Sequence, residues 1–294
     1  MKPRRAVRTI ARVCVALAAL VFAVLAYVYL TLPDVRRLAT TNPTSTAFME
    51  LRAQDAAAQG KRVRRVQVWI PYTRISQNLK RAVLVAEDDA FWEHEGIDVE
   101  QIRRSIEIDL AKGAAIRGAS TITQQLAKNL YLSPSRNPLR KLRELIITRR
   151  LEAALPKARI LELYLNLIEW GDGIWGAEAA ARAYFQTSAA SLSREQAALL
   201  AGAIINPRVL NPARPNGRLV ARQRLILGRM GSVEPPAPVP IPVVTPEESS
   251  AAEPVPPETP LAQPPDQEGF PEPPSPDTSE PSPPRATPET PPER

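Results

Sequence analysis

The sequence predicts a mainly α-helical protein whose folded domain follows a single N-terminal transmembrane helix. Three observations carry this prediction. Val13 to Leu32 is a run of twenty residues without a charge. From Ile75 to about Met230 the chain is rich in Ala and Leu at helical spacing, with breaks that leave room only for short strands. The 294 residues contain one Cys and one His, which excludes a disulfide framework within the chain and a multi-Cys/His metal site.

The apolar run, at 1.5 Å per residue, covers about 30 Å, the thickness of a bilayer core. The segment before it, MKPRRAVRTIAR, is basic, which is expected to keep residues 1–12 in the cytoplasm and place everything after Pro33 outside it. A cleaved signal peptide is the competing reading, but the run is long for that role and TLPDVRR is a poor cleavage site.

Residues 33–65 read as a polar connector, part helical, and VRRVQVWIPY as a short extended piece ending at Pro71. A helical domain is expected over 66–230. Beyond it, 22 of the 32 prolines fall in residues 231–294, an acidic segment of net charge −10 expected to be disordered and partly polyproline II. The overall charge of +7 therefore hides a body of about +17. Such a body calls for an anionic partner, and its place outside the cytoplasm argues against nucleic acid.

Four polar groups stand out in the helical region. In GASTITQQLAKN, Ser120 reads as an N-cap, and Thr121, Gln125 and Lys128 fall at i, i+4 and i+7 on one face, suited to an oxygen-rich anionic ligand. By spacing alone a capped surface helix is the favoured reading of the stretch. LKRAVLVAED reads as an apolar helix ending in Glu87, Asp88 and Asp89, followed by Phe91, Trp92 and the lone His94. A carboxylate at the edge of an apolar segment can have its pKa raised by desolvation, as an acid or base requires. Arg140 and Lys141 precede Glu144 by four and three residues, either as helical salt links or as a cationic grip beside a second carboxylate. Glu162 sits among leucines, so burial with an Arg or Lys from another helix is expected, a structural role shared with Asn166. GDGIWG, which ends at Gly176, lacks the lysine and spacing of a phosphate loop and reads as a glycine-permitted turn.

These groups resemble the motif blocks of the peptidoglycan glycosyltransferases of glycosyltransferase family 51, in their monofunctional biosynthetic branch. The blocks are EDDAFWEHEG, GASTITQQLAKN, RKLRE, KARILELYLN and EWGDGIWGAEAAARAYF, in that order. The resemblance implies a lysozyme-like, two-lobed helical domain on the bacterial inner membrane, with the domain in the periplasm. It implies polymerisation of lipid II, the donor being a glycan chain on undecaprenyl diphosphate. Glu87 is then the general base and Glu144 the second essential carboxylate. Thr121, Gln124, Gln125, Lys128, Arg140 and Lys141 are expected to bind the sugar–pyrophosphate region. Asp88, Phe91, His94, Ser120 and Asn129 are expected to shape the cleft, and Gly176 to serve the fold. A divalent cation, Mg2+ or Mn2+, is left open, and the Pro-rich tail is open to cell-wall assembly proteins. The chain departs from the pattern at Asp89-Ala90, at Ala119, and at Gln186-Thr187, where Gly-Lys is common. A lytic enzyme that cuts glycan and a silent scaffold are the rival readings; the cations beside Glu144 favour synthesis.

Overall fold

The computed structural model describes residues 3–112, 120–133 and 138–235. The breaks expected at Gly113 and Pro134, the Gly118–Ala119 start of the polar stretch, and the Pro-rich segment from 236 onward lie outside the described residues.

Helix α1 spans Pro3–Leu30, so it begins inside the basic segment and ends two residues before the expected limit at Leu32. Its Val7–Leu30 portion, of mean hydropathy 2.7, is long and apolar enough to cross a membrane. Thr31 closes the last turn by donating its hydroxyl to Tyr27 O (2.7 Å). Helix α2 (Ala47–Ala58) follows in the connector, capped by Thr46.

The expected extended piece forms β1 (Val66–Gln67). It pairs in parallel with β3 (Ile174–Trp175), which pairs antiparallel with β2 (Glu169–Gly171), giving the order β1-β3-β2. The β2–β3 turn is the GDG stretch, where Gly173 has φ of +69° and a Cβ would stand 2.6 Å from Arg64 O.

Seven further helices build the domain: α3 (Gln77–Glu87), α4 (Val99–Lys112), α5 (Ile122–Tyr131), α6 (Pro138–Ala154), α7 (Lys157–Leu167), α8 (Ala177–Phe185) and α9 (Arg194–Ala203). Helix α10 (Gly217–Arg229) completes it. In α7 nearly every side chain is buried, including Glu162 and Asn166, which share one face with Arg159 and find their partners inside the fold. Helix α5 packs on α6 and α7, while α3 packs on α9 and α10. The chain stays packed past the expected boundary at 230: Val233 is buried and Glu234 pairs with Arg81 (2.7 Å).

Asn166 ties the extended lead-in to α7. Its Oδ1 accepts from Ile70 N (2.9 Å) and its Nδ2 donates to Ile70 O (2.9 Å). Gly176 (φ +82°) passes so close that a Cβ would lie 2.7 Å from Asn166 O. Glu162 is buried as expected, but its cation comes from its own helix, not another: Arg159, three residues earlier, is 3.3 Å away. Trp69 Nε1 donates to the other oxygen (3.3 Å). One turn of spacing lets Arg159 reach Glu162 without a tertiary partner.

The departure at Gln186 has a local meaning. Gln186 ends α8 in the left-handed region (φ +53°), the conformation that glycine takes without steric cost. Gln186→Gly is expected to raise stability by about 0.5–1 kcal/mol, less the added freedom of the unfolded chain. Thermal unfolding of the two proteins checks it; a lower midpoint for the variant would show that the Gln side chain contributes more than its backbone costs.

Candidate active site

Helix α3 ends at Glu87 because Asp88 leaves helical geometry (φ −168°, ψ 79°) and turns its side chain inward. Asp88 is 2% exposed. Its Oδ2 accepts from Ile122 N (2.9 Å), one of the backbone donors that a helix start leaves without an intrahelical partner. Its Oδ1 accepts from His94 Nε2 (3.0 Å). His94 Nδ1 accepts from Gly96 N (3.1 Å), which assigns the ring proton to Nε2. A contact across 34 residues thus seats the end of α3 against the start of α5.

The loop between is pinned from α6 and α7. Lys157 Nζ donates to His94 O (2.6 Å) and Glu152 (2.9 Å), and lies 4.4 Å from the centre of the buried Phe91 ring. Glu152 also accepts from Thr123 Oγ1 (2.5 Å). Gly96 has φ of +81°, and a Cβ there would stand 2.6 Å from Thr148 Cγ2. No other residue allows the loop to pass α6 at this distance.

At the start of α5 the N-cap is Thr121, and Ser120 is exposed outside the helix. Both residue types cap well; a tertiary partner decides between them, because the Thr121 hydroxyl also donates to Gly96 O (2.7 Å). Thr121 and Gln124 form a reciprocal capping box and are both buried. The polar face expected at Thr121, Gln125 and Lys128 therefore narrows to Gln125 and Lys128, since a cap residue is not on the helical wheel. Asn129 donates to Gln125 O (2.8 Å) within its own helix.

Gln125 reaches Glu87. Its Nε2 donates to Glu87 Oε2 (2.8 Å), while its Oε1 accepts from the hydroxyl of Tyr164 on α7 (2.8 Å). Burial raises the Glu87 pKa above the ordinary 4.5, against the lowering effects of Gln125, Arg222 and Lys128; Asp88 adds to the rise. The charge of Glu144, 4% exposed, also acts on Lys128. Arg140 Nη1 pairs with that carboxylate at 2.9 Å, and Lys141 Nζ pairs with its second oxygen. Burial lowers the Lys128 pKa and the Arg140 and Lys141 charges lower it further, whereas Glu144 and Glu87 raise it. Lys128 thus feels both carboxylates, and the two motif groups of α3 and α6 form one site.

Arg222, Tyr164, Glu152 and Thr123 belong to this arrangement without having been singled out in the sequence. Arg222 is on α10, anchored by its Nε to Gly202 O (3.1 Å), and lies 135 positions from Glu87 in a helix with several arginines. No local pattern marks it. Tyr164 reads as one more large residue of a leucine-rich core.

The arrangement offers a half-buried carboxylate of raised proton affinity, a hydrogen-bonded amide holding it, and a cluster of three cations around a second carboxylate. Such a set can take a proton on one side and hold an anion on the other. The sequence matches the Transglycosylase family model over residues 53–231. It is 50% identical to the biosynthetic peptidoglycan transglycosylase of Nitrosospira multiformis over 195 residues, 66% of this chain and 85% of that one. It is 45% identical to the protein so named from Chromobacterium violaceum over 220 residues, 75% of this chain and 96% of that one. With Aromatoleum aromaticum the figure is 50% over 189 residues, 64% and 82% of the two chains. The domain of the family is lysozyme-like and mainly helical, as this fold is. The chain belongs to the transglycosylase family, in the branch of the monofunctional biosynthetic peptidoglycan transglycosylases.

Proposed function

We propose that the chain polymerises lipid II, with the growing glycan on undecaprenyl diphosphate as donor and the GlcNAc 4-hydroxyl of the incoming lipid II as acceptor. The observation that carries this reading is the place of Lys128, whose charge acts on both Glu87 and Glu144 and which feels the charges of Arg140 and Lys141. Glu87 takes the hydroxyl proton as the acceptor oxygen bonds to the donor's anomeric carbon. The bond to the pyrophosphate oxygen breaks, and the leaving group departs with the electron pair. Attack opposite the leaving group converts the α-linked pyrophosphate to a β-1,4 linkage.

Arg140, Lys141 and Lys128 neutralise the charge that grows on the leaving group. Arg140 Nε is buried without a partner among the described groups, a donor free for that oxygen-rich ligand. A hydrolase has no comparable use for three cations at this position. Glu144 holds Arg140 and Lys141 in place. A helix able to cross a membrane fits a lipid-linked substrate, because confinement to one surface raises effective concentration. The basic N-terminal flank supports the reading of an inner-membrane protein with its catalytic domain in the periplasm.

A divalent cation does not fit the donors described. Asp88, His94 and Asp98 bring candidate ligand atoms within 4.8 Å of one another, but His94 directs its ring proton to Asp88 and Asp98 accepts from Gln101 N (2.7 Å). Glu144 offers one carboxylate already paired with two side-chain cations. The steps above therefore run through side chains alone.

The test uses the full chain in detergent with lipid II, and products resolved by glycan length. Polymer is the expected result. Intact lipid II with cleavage of preformed glycan would replace this reading with the lytic one, and inertness toward both would leave a scaffold.

A further inference from the structure

We propose, on the reading of Glu87 as the base, that Tyr164 is a positioning residue: its hydroxyl sets which way the Gln125 amide faces and so keeps Glu87 in the ionised form. The amide of a glutamine can present either of two ends to a neighbour. With Nε2 toward Glu87, it stabilises the carboxylate. With Oε1 toward Glu87, it stabilises the protonated acid, which no longer accepts a proton.

Tyr164 decides between these states. It is fully buried in the centre of α7, and Gln125 Oε1 is the acceptor of its hydroxyl hydrogen among the described groups (2.8 Å). Flipping the amide would leave that hydrogen without an acceptor in the core, a state proteins avoid. The hydroxyl remains a donor at all working pH, because burial, and then the charges of Glu87 and Asp88, raise its pKa well above 10. Hydrogen bonds thus run from Tyr164 to Gln125 to Glu87, at 2.8 Å in each step.

The other groups facing Glu87 do not supply this bias. Lys128 on α5 and Arg222 on α10 favour the carboxylate by charge, and Asp88 on the adjoining loop disfavours it. None of the three hydrogen-bonds the Gln125 side chain. Helix α9, packed along α3, commits Arg194 to Leu227 O and Glu195 to Ser193. Ser120 O also accepts from Gln125 Nε2, at 3.5 Å, and favours the same orientation, but the bond from Tyr164 on α7 is the shorter, at 2.8 Å, and the one made in the core.

Tyr164→Phe keeps the ring and removes the hydroxyl. Carboxyl NMR titration of the glutamate-labelled full chain in detergent, with the Glu87 signal assigned by its absence in Glu87→Gln, reads the result directly. The Glu87 midpoint is expected to rise by about half to one pH unit, the size of one hydrogen bond's preference between protonation states. The acid limb of lipid II polymerisation should move up by the same amount, with the rate recovered at higher pH. Gln125→Leu should raise the midpoint at least as far, and adding Tyr164→Phe to it should change nothing more, because Tyr164 acts through Gln125.

An unmoved midpoint in Tyr164→Phe, even with a slower enzyme, would reduce Tyr164 to packing and overturn the proposal. A further shift on the Gln125→Leu background would overturn it as well. Should Tyr164→Phe fail to fold, Gln125→Leu alone decides, and no rise sinks the idea. The titration does not depend on turnover. It therefore stands apart from the lipid II assay, whose failure would remove the polymerase reading while leaving the hydrogen-bond chain measurable.

Discussion

Glu87→Gln is expected to lose about 10²- to 10⁴-fold of its polymerisation rate, the range that a positioned general base contributes. The substitution keeps the side chain's length and its acceptor toward Gln125 Nε2, and removes only the capacity to take a proton. Its stability should not fall. The folded-state pKa of Glu87 is raised by burial above the ordinary 4.5. For an acid this sign means that ionisation is less favourable in the fold than in the unfolded chain. The penalty is present at pH above the raised value and vanishes below the unfolded one. At neutral pH the variant therefore melts no lower than the parent.

The same sign fixes the pH profile. The base works when ionised, so the rate falls as pH drops through a midpoint raised above the ordinary 4.5. Wild-type and variant rates on lipid II, with melts run beside them, check both statements. A variant retaining more than about a tenth of the wild-type rate would move the base elsewhere, because the smallest effect expected of a general base is about 10²-fold.

The elements that carry this chemistry were legible in the sequence to different depths. The end of α3 at Glu87 follows from an apolar run stopped by carboxylates, and the grip of Arg140 and Lys141 on Glu144 follows from helical spacing. Both are local, decided within four residues. The choice between Ser120 and Thr121 as cap is not local, since Gly96 O makes it from 25 residues away. The salt link of Glu162 inverts the lesson: the expectation looked across the core for a cation that stood one turn back at Arg159. Arg222 had no signal at all. A single charged residue acting across the fold leaves no periodicity, and only packing of α10 on α3 brings it to Glu87.

Capping carries a second point about how the motif blocks depend on one another. Asp88, beside the base, caps α5; Thr121, beside the amide, holds the loop that carries Asp88. Each block is therefore folded by the other, and neither could place its functional residue alone. That reciprocity explains why so many polar residues here are buried. The bonds of Asp88 to His94 and Ile122 N, and of Thr121 to Gly96 O and Gln124 N, seat Glu87 beside Gln125.

Lys157→Met should test that dependence with the largest effect on stability. Lys157 pairs with Glu152, whose side chain is 7% exposed, and donates to His94 O in the loop after Glu87. Methionine keeps much of the volume over the Phe91 ring but strands the Glu152 carboxylate, a loss of about 3 kcal/mol for breaking a buried pair from one side. In a domain of this size that corresponds to a melting temperature lower by about 6–12 °C. Glu152→Gln added to Lys157→Met removes the stranded charge while still accepting from Thr123 Oγ1, and should recover most of the loss. Turnover should not recover with it, because the donor to His94 O is still missing and the loop that seats Asp88 stays loose. A double variant restored in both melting and rate would show that Lys157 merely neutralises Glu152. Recovery of stability without rate would show that the lysine holds the loop that sets the base.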